Sequence, residues 1–457
     1  MKKYKLIFIL IIVFTLAAIE NNPTVMGSSW SNGSLLKGID ALRNNPANLG
    51  LSDNVNSSMT FLFMPMPNIS ISSENSISLS IYNDYVSEDG DNLWSPADVD
   101  KILDQLDGKW RVQNNVDIDI FSMTKGNKGL SLTANSIENI AVPEDILELL
   151  LKGIRVGKVY DAEELNGEAY NSASLGLSYA RLINQSWIDK YFKEFSVGGT
   201  LRFIHSLPGT EMDNFDDDIG GKIRPAYIKI DNVDAYVVVN DVSGGNGSGS
   251  TGTKVKGSFD LQVSEAGMGF GTDLGMTGIL SHNENMRVGL TISNLFSMID
   301  WYKDNRTYKY RYLMDGIYIS DLNGTDSLFT IQDQFSVESD DFYTYLPPEL
   351  KLDYAWKLYP GNQNFFWTSS YIQGFKNELY STTMPKFSTG FEWYHNSADW
   401  FRLRSGITLG GESLYSSAAG ISFVFTHYTM DFAIDNKYLY GDDSKGLSFA
   451  IGQKLLW

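Results

Sequence analysis

Segments of roughly ten residues, in which large apolar side chains alternate with small or polar ones, recur from about residue 55 to the end of the chain. Period-two alternation describes a strand with two unlike faces. In ELKLDYAWKL, Leu350, Leu352, Tyr354, Trp356 and Leu358 share one face, and Glu349, Lys351, Asp353, Ala355 and Lys357 the other. SLGLSYARL sets Leu175, Leu177 and Tyr179 against Ser174, Gly176, Ser178 and Ala180; RVGLTISN sets Val288, Leu290 and Ile292 against Arg287, Gly289, Thr291 and Ser293. FSTGFEWY sets Phe387, Phe391 and Trp393 against Ser388, Gly390 and Glu392. The last stretch, KGLSFAIGQKLLW, places Leu447, Phe449, Ile451, Gln453, Leu455 and Trp457 on one side. Its other side carries Gly446, Ser448, Ala450, Gly452, Lys454 and Leu456.

A soluble sandwich also alternates, so the second face decides. Solvent-facing strand positions favour Thr, Lys and Glu, whereas these faces mix Gly, Ser and Ala with isolated charges, as suits a crowded polar lumen. The expectation is an all-β transmembrane antiparallel barrel of about fourteen to sixteen strands, with an even number usual. Composition agrees: 25 Tyr, 25 Phe, 10 Trp and 41 Gly, with only 12 Pro, favour strands and tight turns. Aromatics at strand ends, among them Trp187, Tyr191, Phe192, Trp301, Tyr302, Trp393, Tyr394, Trp400 and Phe401, are expected to form interfacial girdles.

Three regions depart from the β theme. MKKYKLIFILIIVFTLAA opens with lysines, continues with an apolar run and reaches small residues, the plan of a secretory signal peptide. Residues 1–27 are assigned to it, with cleavage after Ala18 or Gly27; a membrane anchor is the alternative. SPADVDKILDQLDG (95–108) and VPEDILELLLKG (142–153) read as short amphipathic helices, the first capped by Ser95 and Pro96, the second ended by Gly153. They are candidates for external loops or a lid, or for surface decoration. SLLKGIDALRNNPANLGLSDN (34–54) begins as a helix with Leu35, Leu36, Ile39 and Leu42 on one side and must stop near Asn45, because Pro46 disfavours helical geometry before it.

Little points to reaction chemistry. The chain has no cysteine, which excludes a lipoprotein anchor and disulfides, and its formal charge of −19 argues against a nucleic-acid partner. His205, His282, His395 and His427 have no metal-site spacing, and no nucleophile-elbow pattern occurs, so neither an enzyme nor a cofactor is expected. GNGSGSTGTK lacks the Gly-Lys-Ser/Thr of a phosphate loop and reads as a linker. Asp213, Asp216, Asp217 and Asp218 could ligate Ca²⁺, although a solvated loop is the simpler reading.

Asn45-Pro46-Ala47, after a helix and before an aromatic-rich strand, resembles the NPA segment of the FadL superfamily of outer-membrane proteins. Further pieces are similar, in order and character, to an uncharacterised FadL-like group: VPEDILELLLKG, LGLSYARLI, FSVGGTLRFIHSLPG, VGLTISNLFSMIDW, and a closing run from Arg404–Gly406 through Gly410-Gly411, Gly420 and Asp431–Ala433 to Lys445-Gly446. The resemblance implies a fourteen-stranded barrel (56–457) in the bacterial outer membrane, surrounded by its lipid, with residues 28–55 folded inward as a hatch. It implies passive passage of hydrophobic small molecules, with Asn45, Pro46 and Ala47 as hatch residues and Arg43 tethering the hatch to a luminal carboxylate; ordinary helix termination is the bland alternative for each. The terminal pattern of Phe449, Ile451, Leu455 and Trp457 resembles the signal read by the barrel-assembly machinery. Relatives of similar shape include docking components of secretion systems, so a PorV-like structural role stands as the rival.

Overall fold

The computed structural model describes residues 22–86, 95–106, 108–153, 155, 157–209, 212–213, 222–243, 249–315, 330–358, 363–379, 381–411, 413–438 and 444–457. The chain is a closed antiparallel transmembrane barrel of fourteen strands. Strand β1 comes in two pieces, Ser57–Phe61 and Asn68–Asn75. It is followed by β2 (Lys109–Lys125), β3 (Lys128–Pro143), β4 (Asn166–Leu182), β5 (Phe192–Ser206), β6 (Ala266–Leu280) and β7 (Met286–Lys303). The circuit continues through β8 (Glu349–Lys357), β9 (Gln363–Gly374), β10 (Lys386–His395), β11 (Ala398–Gly410), β12 (Tyr415–Val424), β13 (Tyr428–Lys437) and β14 (Gly446–Leu456). Strand β14 closes on both pieces of β1, Met59 opposite Leu455 and Ile69 opposite Ile451. Closure leaves no barrel edge whose backbone groups hydrocarbon would strand unbonded.

The register explains the alternation. Leu175, Leu177 and Tyr179 on β4, Leu352 on β8, Phe387 and Phe391 on β10, and Leu447 and Phe449 on β14 all stand exposed on the outer surface. Their strand neighbours Ser178, Asp353, Ser388, Glu392 and Ser448 are buried inside. A soluble fold would bury the first set and expose the second; this inversion requires a lipid surround. Short turns join the strands at one end, including residues 126–127 and 396–397, and both Ser57 and Leu456 lie there. Short turns face the periplasm and long loops the outside in outer-membrane barrels, which orients the molecule.

Strands β2 to β7 are longer than a membrane needs, and their outer ends carry additional structure. Pro96–Leu103, with Ser95 and Asp98 forming a reciprocal capping box, and Glu144–Lys152 join Ile77, Ile81, Trp110 and Val112 in one apolar cluster on the outer face of β2. The top of β4 pairs with Tyr227–Ser243, which starts a four-stranded sheet continuing through Gly249–Ser264, Arg306–Asp315 and Thr330–Glu338.

Two expectations are corrected. Residues 34–54 do not begin as an α-helix: they form three 3₁₀ turns, Gly33–Leu35, Gly38–Ala41 and Pro46–Gly50. Lys37 is extended and Gly38 adopts φ +57 beside Ser58, where a Cβ would collide with the hydroxyl, so the helix is broken before it can propagate. Leu36, Ile39 and Leu42 still share one buried cluster. Trp301 and Tyr394 are not girdle residues. Adjacent strand residues point to opposite faces, so while Tyr302 and Trp393 face outward, Trp301 is fully buried against Tyr170, Tyr227 and Phe342, and Tyr394 lines the lumen.

Candidate functional site: the plugged lumen

Residues 22–55 fill the middle of the barrel. Asn22 caps the turn Pro23–Met26 by accepting from the Thr24 N–H at 2.7 Å. Ser29 and Trp30 then both take left-handed backbone angles, φ 54 and 62, conformations uncommon outside glycine. At the next reversal Asn45 caps the Pro46–Gly50 turn, accepting from the Ala47 N–H at 3.1 Å while its own amide donates to the Met276 carbonyl of β6 at 3.1 Å. The Asn-Pro-Ala turn is thereby bound to the wall. Ala47 sits where a side chain on Gly198 would be, its nitrogen 2.7 Å from that Cβ position. Gly420 likewise lies 2.8 Å from the Gly27 Cα by the same measure. Gly198, Gly390, Gly406 and Gly420 of the inner face therefore leave space that the plug occupies.

Ion pairs complete the seat. Arg43 grips Asp117 of β2 with both guanidinium nitrogens, one at 2.6 Å. Asp40 receives Asn22 at 2.7 Å and pairs with Lys454 of β14. Lys454 also reaches Asp431 at 3.2 Å, and Arg404 joins Asp431 at 3.5 Å to Glu392 at 2.8 Å. Asp53 pairs with Arg287 of β7 and, at 2.7 Å, with Lys37 inside the plug. Hydroxyls add Ser29 to Thr408 at 2.9 Å and Ser31 to Thr368 at 2.6 Å. By contrast the plug has its own apolar centre of Val25, Leu36, Ile39, Ala41, Leu42 and Leu49, to which the wall contributes Ala180 alone.

The plug separates two spaces. Above it lies a cavity of about 120 Å³ bordered by Trp30, Arg43, Tyr170, Arg202, Ile204 and Leu346. Its ceiling is aromatic and apolar: Tyr227 stacks on Trp301 at 4.8 Å, with Leu346 and Leu379 packed alongside. Beneath the plug is a larger, charged cavity of about 460 Å³ opening at the periplasmic end. A third pocket of about 20 Å³, bordered by Asp40, Arg43, Asn44, Asn68, Ser70 and Asp117, abuts the break in β1. At that break residues 62–67 leave the wall, Phe63 is 89% exposed, and the Asn68 side chain takes over the Gln453 N–H.

Of the residues singled out in the sequence, Arg43, Asn45, Pro46 and Ala47 come together at the plug–wall boundary. Phe449 and Ile451 lie on the outer face of β14, Leu455 opposes both Met59 and Tyr428, and Trp457 donates to the Ser57 carbonyl at 3.1 Å on the periplasmic rim. Sequence reasoning missed Trp30, Asp117, Arg404, Asp431 and Lys454. A signal existed: each wall residue of this set is a charge on the parity of its strand opposite the large apolar side chains. Residues 214–221, with Asp216, Asp217 and Asp218, and the centre of the glycine-serine loop lie outside the described residues. Among the described residues no three His, Asp or Glu side chains are grouped to hold a metal ion.

A closed barrel with an apolar exterior, whose own N-terminal segment stops its lumen, defines the class: a plugged outer-membrane β-barrel. Residues 54–435 match the family of unknown function DUF5723, and the chain belongs to that family. No curated protein matches it. Among solved structures it is similar to the CymD monoaromatic hydrocarbon channel, at 10% identity and a TM-score of 0.45 over 95% of this chain and 97% of that one. It is also similar to a Pseudomonas aeruginosa FadL homologue (10%, TM-score 0.45, 96% and 99%) and to the Pseudomonas putida toluene transporter TodX (10%, TM-score 0.43, 97% and 98%).

Proposed function

We propose that the protein is a passive channel for hydrophobic small molecules across the outer membrane, with residues 28–55 as its hatch. The carrying observation is the nature of the plug's seat. The plug's apolar side chains pack mostly on one another; the wall adds to them the small residues Ala180, Ala433 and Ala450, and the seat otherwise consists of hydrogen bonds, ion pairs and glycine contacts. Water can replace such contacts as the plug shifts, whereas uncovering an apolar seat would cost about 25 cal/mol per Å². A solute would collect under the aromatic ceiling, displace the region of Trp30 and Arg43, and leave by the gap in β1 or through the periplasmic cavity. Arg43 borders both the upper cavity and the pocket at the gap, so its pair with Asp117 stands across this route.

The test is deletion of residues 34–54. Uptake of the apolar dye N-phenyl-1-naphthylamine by cells expressing the deletion is expected to rise severalfold over the full chain, with heat-modifiable gel migration showing a folded barrel. Unchanged uptake by a folded deletion variant rejects a gating hatch. The rival reading, a docking platform for exported proteins, is favoured by the external sheet, whose last strand Thr330–Glu338 has no neighbour on its outer side among the described residues. It predicts a stoichiometric partner on purification and no effect of the deletion on dye uptake.

A further inference from the structure

We infer that the cavity beneath the plug is a binding site for an amphipathic organic anion, read by Arg402 and Lys357. As a station on the passage proposed above it rests on that reading, but as a binding site it is measurable without any flux.

The inference comes from an imbalance of charge. In a chain whose formal charge is −19, this cavity is lined by six cationic side chains and five carboxylates. The carboxylates are already engaged. Asp40, Asp53, Glu392 and Asp431 hold the partners described above, and Glu284 is held by Lys193 at 2.5 Å from outside the lining. Two cations lack a close carboxylate, one weakly paired and one unpaired among the described residues. Arg402 comes no closer than 3.8 Å to Glu392, whose other oxygen takes Arg404 at 2.8 Å, and its Nε is buried with no acceptor. Lys357, on the same lining, forms no ion pair among the described residues.

Both cations are instead seated on aromatic rings. The Arg402 guanidinium lies 4.6 Å from the centre of Tyr394, the Lys357 ammonium 5.9 Å from that of Phe366, and the two rings stack on each other at 6.2 Å. Strands β8 to β11 thus present a short shelf with a cation at each end and an apolar surface between. Cation–π seating holds the guanidinium plane while its edge N–H groups remain available for a carboxylate or sulfonate, the strong charge-assisted geometry. The ring surface takes an apolar body. A neutral amide can accept a hydrogen bond from these cations but forgoes the ionic attraction, and a cationic solute is repelled.

The test compares 2-naphthoate with its neutral amide, 2-naphthamide, by calorimetric titration of the full-length barrel in lipid nanodiscs, with empty nanodiscs subtracted. The acid is expected to bind at least tenfold more tightly than the amide. Arg402→Gln with Lys357→Gln should bring the acid to the level of the amide, whereas Arg402→Lys with Lys357→Arg should keep most of the preference. Heat-modifiable migration reports that each variant is folded. Equal binding of acid and amide, or a preference that survives the double glutamine variant, overturns the site. Charge-selective binding in a protein that fails the dye-uptake test supports the site and rejects the passage. Dye uptake that responds to the hatch deletion without any acid preference does the reverse.

Discussion

Strands β2 to β7 run for 15 to 18 residues and strands β8 to β14 for 9 to 13. At a tilt of ~40°, ten residues rise about 25 Å, enough for the apolar band, and seventeen rise about 43 Å. One half of the barrel therefore only spans the membrane, while the other stands clear of it. Both halves carry charge inward, Asp117, Arg202, Asp273 and Arg287 in the tall one, but they differ in what each adds to that. The low half gathers charge inward, with Arg404, Glu392, Asp431 and Lys454 in one buried network. The tall half gathers apolar side chains outward above the lipid, Trp110 and Val112 packed with Val99 and Ile102 of the Pro96–Leu103 helix, and Leu261, Val263 and Tyr308 on the external sheet. The same alternating pattern serves both, because the outward parity that meets acyl chains at Leu177 meets protein at Val112.

This contrast can be broken at its strongest point first. Arg404→Met removes the shared partner of Glu392 and Asp431 and is expected to destabilise the barrel by about 3–5 kcal/mol, read from urea unfolding in micelles. A near-silent substitution would mean that the low half does not depend on its charges. In the tall half, Ile102→Ala should cost ~2 kcal/mol, since a surface cluster can partly collapse. It should open residues 95–106 to limited proteolysis while leaving the barrel's heat-modifiable migration intact. Loss of the barrel itself would show that the two halves are one cooperative unit.

A smaller effect is expected with pH. The hydrogen bond from Lys158, and then the charges of Lys158, Arg155 and Lys152, hold the Glu148 carboxyl below its usual value of 4.5 against the pull of burial. A depressed carboxylate contributes stability that is present above the unfolded pKa and lost as pH falls through the folded one. Hydrogen-exchange protection over residues 144–153, corrected for the intrinsic pH dependence of amide exchange, should therefore be unchanged from pH 7 to 5 and fall below about 4.5. Glu148→Gln should abolish that acid step.

Much of the barrel was legible because hydrocarbon permits so few solutions: period-two strands with a small, polar second face must close on themselves. Leu350 to Leu358 and Leu447 to Phe449 face as their spacing requires. What spacing could not show was depth. Trp301 carries an aromatic at a strand end, as a girdle residue does, yet its parity turns it into the mouth of the barrel. Nor could the plug be read as 3₁₀ turns, because its apolar positions suit a helix while the extended backbone at Leu36 and Lys37 and the positive φ of Gly38 that interrupt it are set by the fit inside the barrel. The ionic seat depends on strands far apart in sequence, Asp40 to Lys454 above all. The plug also bears on processing. Met26 packs against Ala433 and Ala450 inside the lumen, so cleavage after Ala18 is expected and cleavage after Gly27 is not. Mass spectrometry of the mature chain decides this, and an N-terminus at Ser28 would refute it.

The divided first strand has a mechanical corollary. Strand β14 is zipped to β13 by ten consecutive residue pairs, but to β1 by a run of six and a separate run of two. Any hoop under tension parts at its thinnest stitch. A molecule pulled by its C-terminal end should unfasten at the β1–β14 seam, in two small force steps, before β14 peels from β13.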